Sequence, residues 1–412
     1  MSSLLIHSIK GLALAESEAP LIKRGLEMAN LTLIEDAWVL CEDGLITSFG
    51  QMADCPDRAD VSVDAKGRFL LPTWVDSHTH IVYAASREHE FVDRIKGHTY
   101  EEIALKGGGI LNSAAKLRVC PESQLFDDAW QRLEEVIQSG TGAIEIKSGY
   151  GLSFESEMKM LRVIRQIKEK SPIPVKATFL GAHAIPPEFK HHRAGYVDEI
   201  VFKMLPYVAA EGLADYCDVF CDEGFFTVAE TARILAAAGQ LGLKGKIHAN
   251  ELANSGGVQV GIAHHALSVD HLERIEDAEI TALLASQTIP VALPGTSFFL
   301  RIPYAPARKM IDAGLPMAIA TDFNPGSTPS GNFPFLISLA CIHMRMLPEE
   351  AIQAATINAA FAIQMSEQLG SITPGKQASF ILSKPINSLA MIPYSYGTDL
   401  IDQVWIKGVR KK

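Results

Sequence analysis

Short apolar runs recur along the chain at intervals filled by amphipathic stretches, and this alternation sets the first expectation of its fold. Eight runs read as strands: 69–78, 142–148 (GAIEIKS), 175–182 (VKATFLGA), 216–221 (YCDVFC), 245–249 (GKIHA), 265–270 (HALSVD), 289–294 (IPVALP) and 316–321 (PMAIAT). The stretches 122–139, 155–170, 227–241 and 348–367 carry apolar residues near a 3.6-residue period with charges opposite, as helices lying on a sheet do. Strands alternating with helices argue for parallel βα units, and eight such units close into a (β/α)8 TIM-like barrel of the α/β class.

The two ends follow a different rule. LTLIEDAWVLCEDGLITSFG, near the N-terminus, contains two alternating runs joined at Glu42-Asp43-Gly44, a hairpin with glycine at its turn. Beyond Gly370 the runs ASFILS and DQVWIKG are again short and strand-like. The expected organisation is a barrel over 69–368, with 1–68 and 369–412 combining into one small β domain.

Composition narrows the class of partner. With 48% apolar and 21% charged residues, the chain is globular rather than disordered. A formal net charge of −11, with no basic run longer than the terminal KGVRKK, argues against nucleic acid and for a small molecule. Six scattered cysteines without a CxxC pair indicate neither a disulfide framework nor a thiolate zinc site. Lys10 interrupts the apolar N-terminus, no cleavage signal follows it, and no apolar segment is long enough to span a bilayer, so no membrane role and a cytoplasmic location are expected.

Catalytic residues of such barrels sit at the C-terminal ends of the strands. Strand one ends in His78 and His80, strand three in His183, strand five in His248 followed by Glu251, strand six in His271, and strand eight in Asp322. Residues two apart on an extended strand leave the same face, about 6.6 Å apart at Cα, so His78 and His80 can converge on one metal ion. At a Zn–N distance of roughly 2.0–2.1 Å such a pair needs one or two further ligands, for which His248 and Asp322 are candidates. His191 and His192 read as solvated, His7, His89, His98 and His343 lie away from the strand ends, and His264 and His265 begin a strand. Gly107–Gly109, without a following GK[ST], read as a turn before a helix, and Lys147 as an ion-paired barrel lysine.

VDSHTH, HANE at 248–251, DH at 270–271 and TDFNPGS at 321–327 together resemble the amidohydrolase superfamily. SREHEF, TYEEIALKGGGI, IEIKSGYGL and FLGAHAIPPE are similar to a branch of it that opens a lactam ring, and the match runs over nearly the whole chain. The resemblance implies a small β-sandwich built from both termini and one Zn or Fe ion held by His78, His80, His248 and Asp322. It implies contacts from Arg87, Tyr150, His183, Glu251, Asn324, Gly326 and Ser327, with Tyr100 a weaker candidate, to a small substrate carrying a propionate. It also implies that a metal-activated water adds across the lactam C–N bond; Glu251, three residues past His248, can give a proton to the departing nitrogen and His271 can orient the water and accept its proton, and the sequence leaves open which of the two is the first base. A homodimer is the family-based expectation. Thr73, Ser77 and Ser379 depart from the family pattern, and altered packing rather than lost activity is expected of them.

Two other readings share these residues. A deaminase acting on a nucleobase or related ring uses the same donor pattern, and the carboxylate anchor Arg87 with Tyr150 is what separates it from lactam opening. A non-catalytic scaffold that kept the barrel would have lost ligands, whereas all four positions are filled.

Overall fold

In the computed structural model, which describes residues 3–98, 102 and 108–412, the strands and helices alternate as the pattern predicts. Among these residues, eight parallel strands pair in sequence order. Barrel strands one to four are Trp74–Asp76, Thr141–Lys147, Val175–Ala182 and Tyr216–Cys221. Strands five to eight are Lys244–Ala249, Ser268–His271, Ile289–Ala292 and Ala318–Ile319. Strands one and eight meet just beyond their ends through a bridge between Thr79 and Phe323. The Asp322 amide donates to the His78 carbonyl at 2.9 Å and the His80 amide to the Phe323 carbonyl at 2.9 Å, so the seam between the first and last strands runs directly beside the candidate ligands.

The expected single strand over 69–78 is two strands that serve different sheets. Phe69–Pro72 pairs with the terminal strands Ser3–Ala13 and Phe380–Ser383, and only Trp74–Asp76 joins the barrel. The break falls at Thr73, whose amide donates to Ser379 in the small sheet, while the Trp74 amide donates to Gly140 at the barrel. An unbroken apolar run hides this change because both sheets bury both faces of the strand there.

The small sheet orders its strands as Val409–Arg410, Ile401–Ile406, Phe380–Ser383, Phe69–Pro72, Ser3–Ala13, Leu33–Glu42 and Leu45–Gln51, with Val61–Asp64 also paired to Ser3–Ala13. The expected hairpin closes at Asp43 (φ 49°) and Gly44 (φ 79°), two left-handed residues that match the strand twist. Its core, including Ile6, Ile9, Leu70 and Phe380, is separate from the barrel's.

Helices Glu122–Gln138, Phe154–Lys170 and Val228–Gln240 lie where the period places them. The first buries Leu125, Ala129, Leu133 and Val136, one stripe at three- and four-residue spacing. Ser153 and Thr227 cap the other two by accepting the Ser156 and Glu230 amides, each cap contributing about 1 kcal/mol.

The stretch 348–367 is two helices, Pro348–Ala354 and Ile357–Ala362, because the Ala355 carbonyl accepts the Val75 amide of barrel strand one instead of continuing the helix. His264 and His265 do not begin a strand. His264 caps helix Gly257–Ala263, and His265, at φ 53°, turns the chain into strand six.

Candidate active site

Four donor atoms from three regions of the barrel converge at its C-terminal rim. His78 and His80 Nε2 lie 3.3 Å apart, and His80 and His248 Nε2 3.4 Å apart. Asp322 Oδ1 is 3.6 Å from His78 Nε2 and 3.5 Å from His80 Nε2. Donors placed about 2.1 Å from the centre of a tetrahedron are about 3.4 Å apart along its edges, close to these spacings, and two overlapping sets, His78 with His80 and Asp322 and His78 with His248 and His271, each bring their ligand atoms within 4.8 Å of one another.

Protonation supports the same reading. His78 Nδ1 lies 2.6 Å from Asp270 Oδ2 and His248 Nδ1 lies 3.0 Å from Asp218 Oδ2, which places the ring protons on Nδ1. The Nε2 lone pairs are left facing one another, an arrangement that a cation relieves. Burial, with Lys147 nearby, holds His78 well below the usual imidazole range, and burial with His183 nearby does the same to His80, so both are neutral donors. This donor set fits a divalent metal ion.

The fourth donor is fixed from behind. Asp322 Oδ2 accepts from Thr296 Oγ1 at 2.6 Å and Ser327 Oγ at 3.2 Å, so Oδ1 remains for the centre. Asp322 (φ 52°) and His271 (φ 85°) both hold left-handed backbone conformations that non-glycine residues seldom adopt, a strain typical of functional sites.

His271 Nε2 stands 3.6 Å from Glu251 Oε2 and its Nδ1 3.6 Å from Glu273 Oε1. Burial alone would depress the imidazole, but the two carboxylates outweigh it and push His271 up to about 10. Burial pushes the Glu251 carboxyl up to about 7 against the pull of His271. His183 is driven down to about 3, mainly by burial, and its Nδ1 meets the Gly149 carbonyl at 3.0 Å. Its Nε2 is thereby left as an acceptor.

A cavity of about 640 Å³ opens over these groups. His80, Arg87, Tyr150, His183, His248, Glu251, His271, Asp322, Asn324, Gly326 and Ser327 all line it, and His78 lies beneath. Tyr100 lies outside the described residues. Arg87 pairs with the buried Glu90 and also faces the cavity. Asn324 shapes the loop: its Oδ1 accepts the Gly326 and Ser327 amides at 2.7 and 2.8 Å.

Residues 69–411 match the family model described as Amidohydrolase family. The chain belongs to that family. It is 57% identical over 385 residues to an imidazolonepropionase of Flavobacterium johnsoniae, covering 93% of this chain and 94% of that one. It is 54% identical over 407 residues to the imidazolonepropionase of Christiangramia forsetii, covering 98% and 99%. Among solved structures, a triazine hydrolase variant superposes with a TM-score of 0.75 at 15% identity, over 99% of this chain and 94% of that one. A zinc-bound adenosine deaminase from Xanthomonas campestris gives 0.69 at 17%, over 99% and 92%. At such identities these two report the fold alone.

Several cavity residues went unnoticed in the sequence. Arg94, Phe299 and Arg301 line the cavity from the stretches around 87–98 and 299–301, where loop and helix-end positions carry no periodic signal, and His98, set aside for lying away from the strand ends, lines it too. Asp218, Asp270 and Lys246 were legible in principle, as charges at inward positions of otherwise apolar strands in YCDVFC, HALSVD and GKIHA. Lys147 pairs with Glu145 and Asp218 at 2.7 and 2.8 Å, as an ion-paired barrel lysine should. All six cysteines are free.

Proposed function

We propose that this chain hydrolyses 4-imidazolone-5-propanoate to N-formimidoyl-L-glutamate, the imidazolonepropionase reaction of histidine degradation. The observation that carries this is 54% identity to an imidazolonepropionase over 98% of the chain. Deamination is not favoured: a deaminase among the structural neighbours is 17% identical and shares the fold alone, against 57% and 54% for two imidazolonepropionases.

His78, His80, His248 and Asp322 would hold one Zn or Fe ion, since histidine and carboxylate donors suit both. Bound there, the ion supplies Lewis acidity, lowering the pKa of water toward about 7 and stabilising oxyanion charge.

The remaining roles follow from protonation states. Glu251, poised near neutrality, accepts the proton of the attacking water at its carboxylate and returns it to the ring nitrogen as the C–N bond breaks. His271, which the Glu251 and Glu273 carboxylates favour as an imidazolium, is the poorer proton acceptor of the two. It donates a hydrogen bond to the carbonyl oxygen as charge develops there, so in this reading the first-base role that the sequence leaves open falls to Glu251. His183 Nε2 accepts a ring N–H of the substrate.

Arg87 presents a forked guanidinium to the propionate beside Tyr150, whose phenol burial keeps neutral as a donor. Asn324, Gly326 and Ser327 shape the wall on which the substrate rests. A cytoplasmic homodimer is part of this reading.

The test is an absorbance assay of imidazolone propionate consumption with metal analysis of the same sample. Turnover with one metal per chain, lost on chelation and restored by Zn or Fe, is expected. Ammonia release from a nucleobase without imidazolone turnover would replace this reading with the deaminase.

A further inference from the structure

Beneath the four donors lies a fully buried charged layer that the reaction does not itself use. Glu145, Lys147, Asp218, Lys246 and Asp270 all have no exposed side-chain surface. Glu145 is its centre: Oε1 takes Lys147 Nζ at 2.7 Å, and Oε2 takes Lys246 Nζ at 2.9 Å.

Each lysine then reaches a different histidine arm. Lys147 Nζ lies 2.8 Å from Asp218 Oδ2, the oxygen that faces His248 Nδ1 at 3.0 Å. Lys246 Nζ lies 3.7 Å from Asp270 Oδ2, the oxygen that faces His78 Nδ1 at 2.6 Å. Lys246 also donates to the Ser77 carbonyl at 2.8 Å, gripping the backbone immediately before His78.

We infer that Glu145, Lys147 and Lys246 form a positioning yoke: one buried glutamate with two lysines sets the His78 and His248 arms together and thereby tightens the hold on the metal. This rests on the metal-binding reading above. Three features favour the inference over an incidental ion-pair cluster.

The layer is arranged as two parallel chains, glutamate to lysine to aspartate to imidazole, that start at the two oxygens of one carboxylate. Glu145 and Lys147 are two apart on strand two, as Lys246 and His248 are on strand five, so alternate inward positions stack the yoke directly under the donors. A buried layer of this kind is costly to desolvate, so a purely structural purpose would be better served by apolar residues.

Outer partners of histidine ligands commonly change metal retention by about 10- to 100-fold. The experiment measures Zn affinity by chelator competition and the visible spectrum of the Co(II)-substituted full chain for Lys147→Met, Lys246→Met and the near-isosteric Glu145→Gln. Thr288→Val, which removes a buried hydrogen bond to the Ala266 carbonyl at the start of strand seven and touches none of the yoke residues, serves as the control for lost stability.

Each yoke variant is expected to weaken Zn retention at least tenfold and to alter the Co(II) spectrum, and the control to do neither at comparable thermal stability. If one variant does not fold, the remaining ones carry the same expectation. Folded yoke variants that keep the parental Zn affinity and Co(II) spectrum would overturn the inference. A parental chain that binds no metal would instead overturn the proposed function.

Discussion

Arg87 and Glu251 divide the work of recognition and chemistry, and each can be tested alone. Lysine cannot reproduce the two parallel donors of a guanidinium, so Arg87→Lys is expected to raise KM about tenfold or more, with metal content unchanged by elemental analysis. Glu251→Gln removes the proton carrier and is expected to lower kcat by about 10²- to 10⁴-fold while leaving substrate affinity nearly intact.

The pH profile carries a sign. Glu251 acts as a carboxylate, so kcat/KM rises with pH through its raised value, about 7. His271 acts as an imidazolium, so kcat/KM falls as pH passes its value, about 10. A bound cation lowers both limbs together. Loss of the acid limb in Glu251→Gln assigns it; an acid limb that survives there would assign it to another group.

At the scale of the element, the loop that follows strand eight is the busiest part of the site. It supplies Asp322, orients it through Ser327, and seats Arg87 against Gly326, where a Cβ would lie 2.2 Å from Arg87 Nη1. Gly326→Ala is therefore expected to displace the guanidinium and raise KM about tenfold, with the metal retained; substrate titration and metal analysis separate the two effects.

This scale also shows why some of the molecule could be read from sequence and some could not. The eight strands and three long helices announce themselves by period, and His78, His80, His248 and Asp322 by falling at strand ends. The change of sheet at Thr73 leaves no trace, because Phe69–Pro72 and Trp74–Asp76 are equally buried. The halved helix after residue 348 depends on a hydrogen bond from Val75, far away in the chain. Arg94 and Arg301 reach the cavity from positions that local pattern does not mark.

Across the whole molecule, charge is distributed against its own average. The chain carries a formal net charge of −11, yet Arg87, Arg94 and Arg301 line the cavity. Three guanidinium groups at its wall, offset in part by Glu90, Glu251 and Asp322, attract an anionic substrate, and that attraction falls off over a Debye length of about 8 Å at physiological salt. We expect kcat/KM to fall several-fold between about 0.01 and 0.5 M ionic strength while kcat stays level, in stopped-flow or initial-rate measurements.

The seam between strands one and eight gives the molecule a further property. Because His78 and Asp322 sit on opposite sides of that join, an N-terminal fragment emerging during synthesis has histidines but no complete chelating set. On the proposed ligand set the fourth donor arrives only when the final strand docks, so a substitution that loosens the join is expected to release the ion at a lower temperature than the barrel melts, read by metal release against far-UV signal.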